Sequence, residues 1–105
     1  MDWEVKFKKG RYYFSWDDRK AKVNIAKHGI NFRLALEVFF DENAVVEPDM
    51  TTAEERYRII GRTMQAFFPI LFVVYISIED DGDEIIRLIS ARKATQTEVK
   101  RYDHN

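Results

Sequence analysis

The chain has 105 residues, of which 46% are hydrophobic, 14% aromatic and 33% charged. That length supports one packed domain over 1–105 and leaves no room for a second core. Cysteine is absent, which excludes disulfides and thiolate metal sites, and the net charge of −1 argues against a strong general affinity for nucleic acid.

From the start of the chain, Trp3, Val5 and Phe7 alternate with Asp2, Glu4, Lys6 and Lys8. That period of two predicts an extended arm or edge strand over 1–13, with Gly10-Arg11 turning into a second strand, Tyr12 to Trp16. The same segment lacks the apolar core of a signal peptide, so a cytoplasmic location is expected. Asp17 is a fair N-cap for a helix running to His28, and Gly29 is a natural residue for the position after its end. Its apolar stripe, Ala21 and Ile25, is thin, and Arg19, Lys20, Lys22 and Lys27 make the rest a solvated basic face. Asn31 caps a second, largely apolar helix predicted over Phe32 to Phe40.

A short strand is expected from Ala44 to Glu47, stopped by Pro48. In Glu55 to Thr63, alternation sets Arg56, Arg58, Ile60 and Arg62 on one side and Tyr57, Ile59 and Gly61 on the other. The three arginines fit a phosphate-facing surface, and equally the wet face of an antiparallel sheet. Ala66 to Ile78 is almost continuously apolar and reads as a central strand, with Pro69 placing its first residues outside regular pairing; it is too short to span a bilayer. Asp80-Asp81-Gly82-Asp83 is a turn. It leads into Ile85-Ile86-Arg87-Leu88-Ile89-Ser90-Ala91-Arg92-Lys93-Ala94, a strand with one arginine inside an apolar run and a second at its close. Thr95 and Glu98 form the capping box of a last helix, Gln96 to Tyr102. Helices followed by a run of strands with short turns predict an α+β fold: a mainly antiparallel, twisted sheet with two N-terminal helices and one C-terminal helix on one face.

Charge falls in blocks along this order: +5 over 1–33, −7 over 34–55, +3 over 56–65, −5 over 66–84 and +3 over 85–105. Such blocks fit one basic face for a polyanion and one acidic face for a basic partner, or surface charges intermixed for solubility.

His28 and His104 are the only histidines, without a paired-histidine spacing, and no Gly-rich phosphate loop or nucleophile elbow is present. No metal or cofactor is expected. What fits the residues is acid–base chemistry on a phosphodiester, which needs cations where phosphoryl charge builds up and a group that moves a proton. RNA brings its own nucleophile, the 2′-hydroxyl. Arg87, Arg92, Lys27 and one strand arginine suit the cationic part. His28, an imidazole that titrates near pH ~6.5 when unperturbed, suits the proton transfer. The plainer alternatives are that Arg87 pairs with a neighbouring carboxylate, that Arg92 caps the next helix, and that His28 satisfies the end of its own helix.

Trp16-Asp17, Lys20, Asn24, Lys27-His28-Gly29 and Phe32, then Glu55-Arg56 and Ile60-Gly61, then the segment Arg87 to Ala94 with Glu98 and Tyr102, form an ordered pattern. Over roughly residues 14–103 it resembles the BrnT family of toxins from type II toxin–antitoxin systems. The resemblance implies a ribonuclease toxin with a compact RelE-like α+β fold that arrests growth by cleaving RNA. It implies a BrnA-like antitoxin with a ribbon-helix-helix DNA-binding part, assembled with the toxin as a heterotetramer on its own operator, which the toxin meets only through the antitoxin. By matching position it makes Lys27, His28, Arg87 and Arg92 the catalytic set, with Arg56 as a further, weaker candidate; Arg56, Arg58, Lys20 and Lys93 are expected to bind RNA. In this scheme Arg87 and Arg92 stabilise phosphorane charge, Lys27 positions the phosphate and His28 transfers a proton.

Two departures stand out. The first dozen residues precede the usual family start, and Ile78-Glu79-Asp80-Asp81 stands where the family often has a basic residue before the turn. If that residue binds RNA elsewhere, this chain is a weaker nuclease. The rival reading is a non-catalytic co-repressor partner of a DNA-binding antitoxin. A stand-alone RNA-binding module is a third, against which no aromatic pair is placed as a base-stacking platform.

Overall fold

The computed structural model describes residues 3–104; Met1 and Asp2 of the expected N-terminal arm lie outside them. The described residues form strands β1 (Glu4–Lys9) and β2 (Tyr12–Asp17), helices α1 (Asp18–His28) and α2 (Phe32–Ala35), and a 3₁₀ segment (Leu36–Phe40). Strands β3 (Val45–Asp49), β4 (Arg56–Gly61), β5 (Leu71–Asp80) and β6 (Asp83–Lys93) follow, then helix α3 (Gln96–Asp103). The strands make one sheet in the order β1-β2-β6-β5-β4-β3.

The expected architecture holds as α+β and needs three corrections. The sheet is mixed: β2 runs parallel to β6, pairing Tyr13 to Ser15 with Ile85 to Arg87, while the other four pairings are antiparallel. A parallel neighbour needs a long crossover, here everything between β2 and β6, and local periodicity carries no trace of its direction. The helices are divided between the two faces. Phe14, Trp16, Ile59, Leu71, Val73, Tyr75, Ile86 and Leu88 pack with α1, α2 and the 3₁₀ segment into the main core, whereas Ile60 and Phe72 pack with Tyr102 and Val99 of α3 on the other side. We call these the core face and the open face. Finally, the expected helix over 32–40 is α-helical only to Ala35. Leu36 and Val38, two positions apart, are both fully buried, Val38 against the backbone of Gly61, and this packing overrides helical geometry.

Two strand limits also move. Pro48 lies within β3 because β3 is an edge strand, where a missing N–H costs little. β5 begins only at Leu71, after Phe67 takes a positive φ of 67° and Pro69 interrupts the ladder. The β5–β6 turn puts Asp81 (φ 52°) and Gly82 (φ 86°) both in the left-handed region, the tight hairpin geometry that glycine favours.

Candidate functional site

Helix α1 forms as its sequence dictates. The Asp17 carboxylate accepts the Arg19 N–H at 2.8 Å, and the Arg19 guanidinium beside it lowers the Asp17 pKa to about 2. At the other end Gly29 (φ 72°) donates its N–H to the Ile25 carbonyl at 2.8 Å. The helix leaves β2 and crosses the stretch of β6 that β2 does not pair. There Asn24, 5% exposed, replaces a strand: its amide nitrogen donates to the carbonyls of Ala91 (2.8 Å) and Ile30 (2.9 Å), and its oxygen accepts the Ala91 N–H (3.0 Å). Helix and strand are thereby locked in register. Along their seam runs a groove of about 220 Å³ lined by Lys20, Val23, Asn24, Lys27, His28, Ile89 and Ser90.

Strand β6 is irregular here. Tyr75 pairs with Leu88 and Val74 with Ser90, so Ile89 is an extra residue in the ladder, a β-bulge. Positions 87 and 92 differ by an odd number and would point to opposite faces of a regular strand. The bulge cancels this. Arg87 lies opposite Ile76, Ser90 opposite Val74 and Arg92 opposite Phe72, so all three share the open face. Ser90 belongs both to that face and to the groove of Lys27 and His28.

Every expected arginine is engaged. Arg87 is ion-paired with Glu4 of β1. Arg92 forms a two-bond pair with Glu98 of α3 (2.8 and 2.9 Å) and stacks over Phe72 at 4.1 Å. Arg58 bonds Glu47 at 2.8 Å and approaches Phe72 from 5.8 Å, and Arg56 pairs with Glu54 at 2.8 Å. Burial works against Glu98 ionising, but hydrogen bonds from Arg92 and the Thr95 N–H outweigh it and hold its pKa below the usual value. Among the described residues Lys20, Lys27, His28 and Lys93 make no ion pair, and the first three line the seam. The structure thus joins Lys20, Lys27 and His28 in one groove, with Arg87 and Arg92 on the sheet face that the groove meets at Ser90. Arg58 on β4 shares the Phe72 ring with Arg92, Arg56 lies further along β4, and Lys93 stands at the end of β6.

Asn24, Ser90, Glu4 and Glu98 were not among the expected site residues. Asn24 and Ser90 stood within the family pattern, but only the fold shows what they touch. The carboxylate partner of Arg87 was foreseeable in kind and not in identity, since Glu4 lies 83 positions away. Among the described residues no three His, Asp or Glu side chains gather as a metal site, and no helix is long and apolar enough to cross a membrane.

A mixed sheet carrying a cationic, half-open seam beside paired arginines defines a small α+β protein. The model of the ribonuclease toxin, BrnT, of type II toxin–antitoxin systems matches residues 16–98, and the chain belongs to that family. It is accordingly a ribonuclease toxin, with RNA as substrate and an antitoxin as partner. β1 and most of β2 precede the matched region. No curated protein matches the chain.

Proposed function

We propose that the toxin is a metal-independent endoribonuclease whose cleavage site lies where the α1–β6 seam opens onto the sheet. The observation that carries this reading is the bulge at Ile89: it turns Arg87, Ser90 and Arg92 to one face, and Ser90 also lines the groove of Lys27 and His28. A ribose 2′-hydroxyl attacks its own phosphate, so the protein supplies charge and proton transfer alone. Lys27 positions the phosphate, His28 moves the proton, and Lys20 steers the backbone into the groove. Arg87 and Arg92 stabilise the equatorial oxygens as charge accumulates there, exchanging Glu4 and Glu98 for phosphate. Arg56, Arg58 and Lys93 extend the cationic track for the RNA on either side. The antitoxin is a BrnA-like chain with a ribbon-helix-helix part, joined to the toxin in a cytoplasmic heterotetramer that binds operator DNA through the antitoxin.

The ion pairs on all four strand arginines favour a second reading, a co-repressor partner without activity, in which those arginines are structural. Growth after induction without the antitoxin separates the two. Arrest by the wild type and growth with Lys27→Ala or His28→Ala supports the nuclease; growth with all three, at equal protein levels, identifies the co-repressor.

A further inference from the structure

On the core face, beyond the 3₁₀ segment, the helical layer ends before the sheet does. This leaves an open groove of about 700 Å³ whose walls include Tyr12, Phe40, Val46 and Tyr75. A second hollow, also bounded by Tyr12 and Glu84, extends it to the β5–β6 turn at Gly82 and Asp83. Val46, on the outer wall, is 54% exposed, an apolar side chain with nothing over it.

The rim is acidic. Glu42, Asp83 and Glu84 stand around the two hollows, and among the described residues none of the three has an ion-pair partner. Two cations stand beside the rim among the described residues: Arg11 is turned onto Tyr12, donating to the phenol oxygen at 2.9 Å and lying 5.0 Å from the ring centre, and Lys9 lies 5.9 Å from the ring centre of Phe40. Asp41 is spent on the fold, accepting from the Arg62 N–H and the Tyr102 hydroxyl at 2.8 Å each. Tyr75 adds a separate mark. It lines the groove, and its hydroxyl makes no hydrogen bond with any described residue and is not a fully buried atom, so it is open to the groove. Burial, and after it the Glu84 carboxylate, push its pKa up to about 12, so it remains a neutral phenol that can give or take a hydrogen bond.

An apolar and aromatic floor, three carboxylates without ion-pair partners (Glu84 accepts only from the Ser77 hydroxyl, at 2.6 Å) and a phenol open to the groove define the complementary ligand: an apolar segment bearing lysines or arginines. RNA is repelled by this rim, and a second copy of the chain would have to bring one of its own basic segments to it. We infer that this groove is the anchor for a cationic, amphipathic segment of the antitoxin, at a place that shares no lining residue with the α1–β6 seam. The inference rests on the family's antitoxin and not on the identity of the nuclease residues. Docking here leaves the α1–β6 seam uncovered, so a segment filling the groove alone holds the toxin without stopping cleavage.

The test uses full-length toxin, the antitoxin encoded with it, and short overlapping peptides that tile the antitoxin. Affinity is measured for the wild type, for Glu42→Lys/Glu84→Lys, and for Val46→Asp, with circular dichroism confirming each fold. The expected result is one basic, apolar peptide that binds the wild type, at least about tenfold weaker binding of peptide and antitoxin by the charge-reversed toxin, and the same direction for Val46→Asp. Free-toxin RNA cleavage stays at the wild-type rate in these variants. Wild-type affinity for antitoxin in both variants overturns the inference. So does an effect confined to self-association, measured by sedimentation, which makes the groove a contact between copies. A wild-type toxin that cleaves no RNA removes the nuclease site and leaves these binding results to be read unchanged.

Discussion

Arg87 and Arg92 lie five positions apart on β6 and yet project from the same face of the sheet, because Ile89 bulges out of the ladder between them. Ser90 stands between the two guanidinium-bearing positions and reaches the groove of Lys27 and His28. Ser90→Phe places a ring on the open face between Arg87 and Arg92, at the edge of that groove. RNA cleavage is expected to fall by about 10²-fold as the phosphate is displaced, with the melting temperature unchanged. Steady-state cleavage beside a thermal melt checks both halves.

The Asn24 amide uses all three of its buried hydrogen bonds to hold α1 against β6. Asn24→Ala leaves the Ala91 N–H and two carbonyls unpaired away from water, and is expected to destabilise by about 2–4 kcal/mol in urea denaturation. Asn24→Asp keeps the bond from the Ala91 N–H and loses both donated bonds, so it should not rescue. A variant of wild-type stability would show that the seam is held by something else.

Much of this was legible where the cause is local. Asp17 and Gly29 bracket α1, and Thr95 with Glu98 starts α3, because caps depend on residues within one turn. The alternation in β4 separated Ile59 from Ile60, and the two do lie in different cores. Register was not legible. A bulge adds one residue without a composition signal, and Ile89 simply continues the apolar run from Leu88. The parallel β2–β6 contact, the carboxylates opposite Arg87 and Arg92, and the tolerance of Pro48 at an edge all depend on which distant strands meet.

Arg92 and Glu98 illustrate the difference between a structural and a chemical role. Arg92→Ala leaves a buried carboxylate with the Thr95 N–H; with the guanidinium side chain 34% exposed, the discounted cost is roughly 1–3 kcal/mol. Arg92→Gln with Glu98→Gln should recover part of that stability, since no charge is stranded. The proposed site predicts that the recovered double variant still cleaves RNA poorly, by about 10²–10³-fold. Recovery of both stability and rate would make the pair purely structural.

Acid should loosen this fold by a defined route. Asp17 is held to about 2 chiefly by the hydrogen bond from the Arg19 side chain, and Glu98 is held below its usual 4.5 although burial opposes it. Both are depressed relative to the unfolded chain, so their contribution is complete above the ordinary carboxylate range and is lost as pH falls through it toward about 2. Melting temperatures from pH ~6 downward should therefore decline, and decline less steeply in Glu98→Gln. A parallel slope for wild type and variant would place the acid sensitivity in other carboxylates.

The central claim is most directly tested by adding purified toxin to single-stranded RNA in EDTA, beside His28→Ala and Arg92→Ala proteins shown to be folded. The expected result is cleavage by the wild type, leaving 2′,3′-cyclic phosphate ends, and loss of about 10²-fold or more in each variant. Cleavage by both variants at the wild-type rate, or an activity that disappears with EDTA, would contradict it.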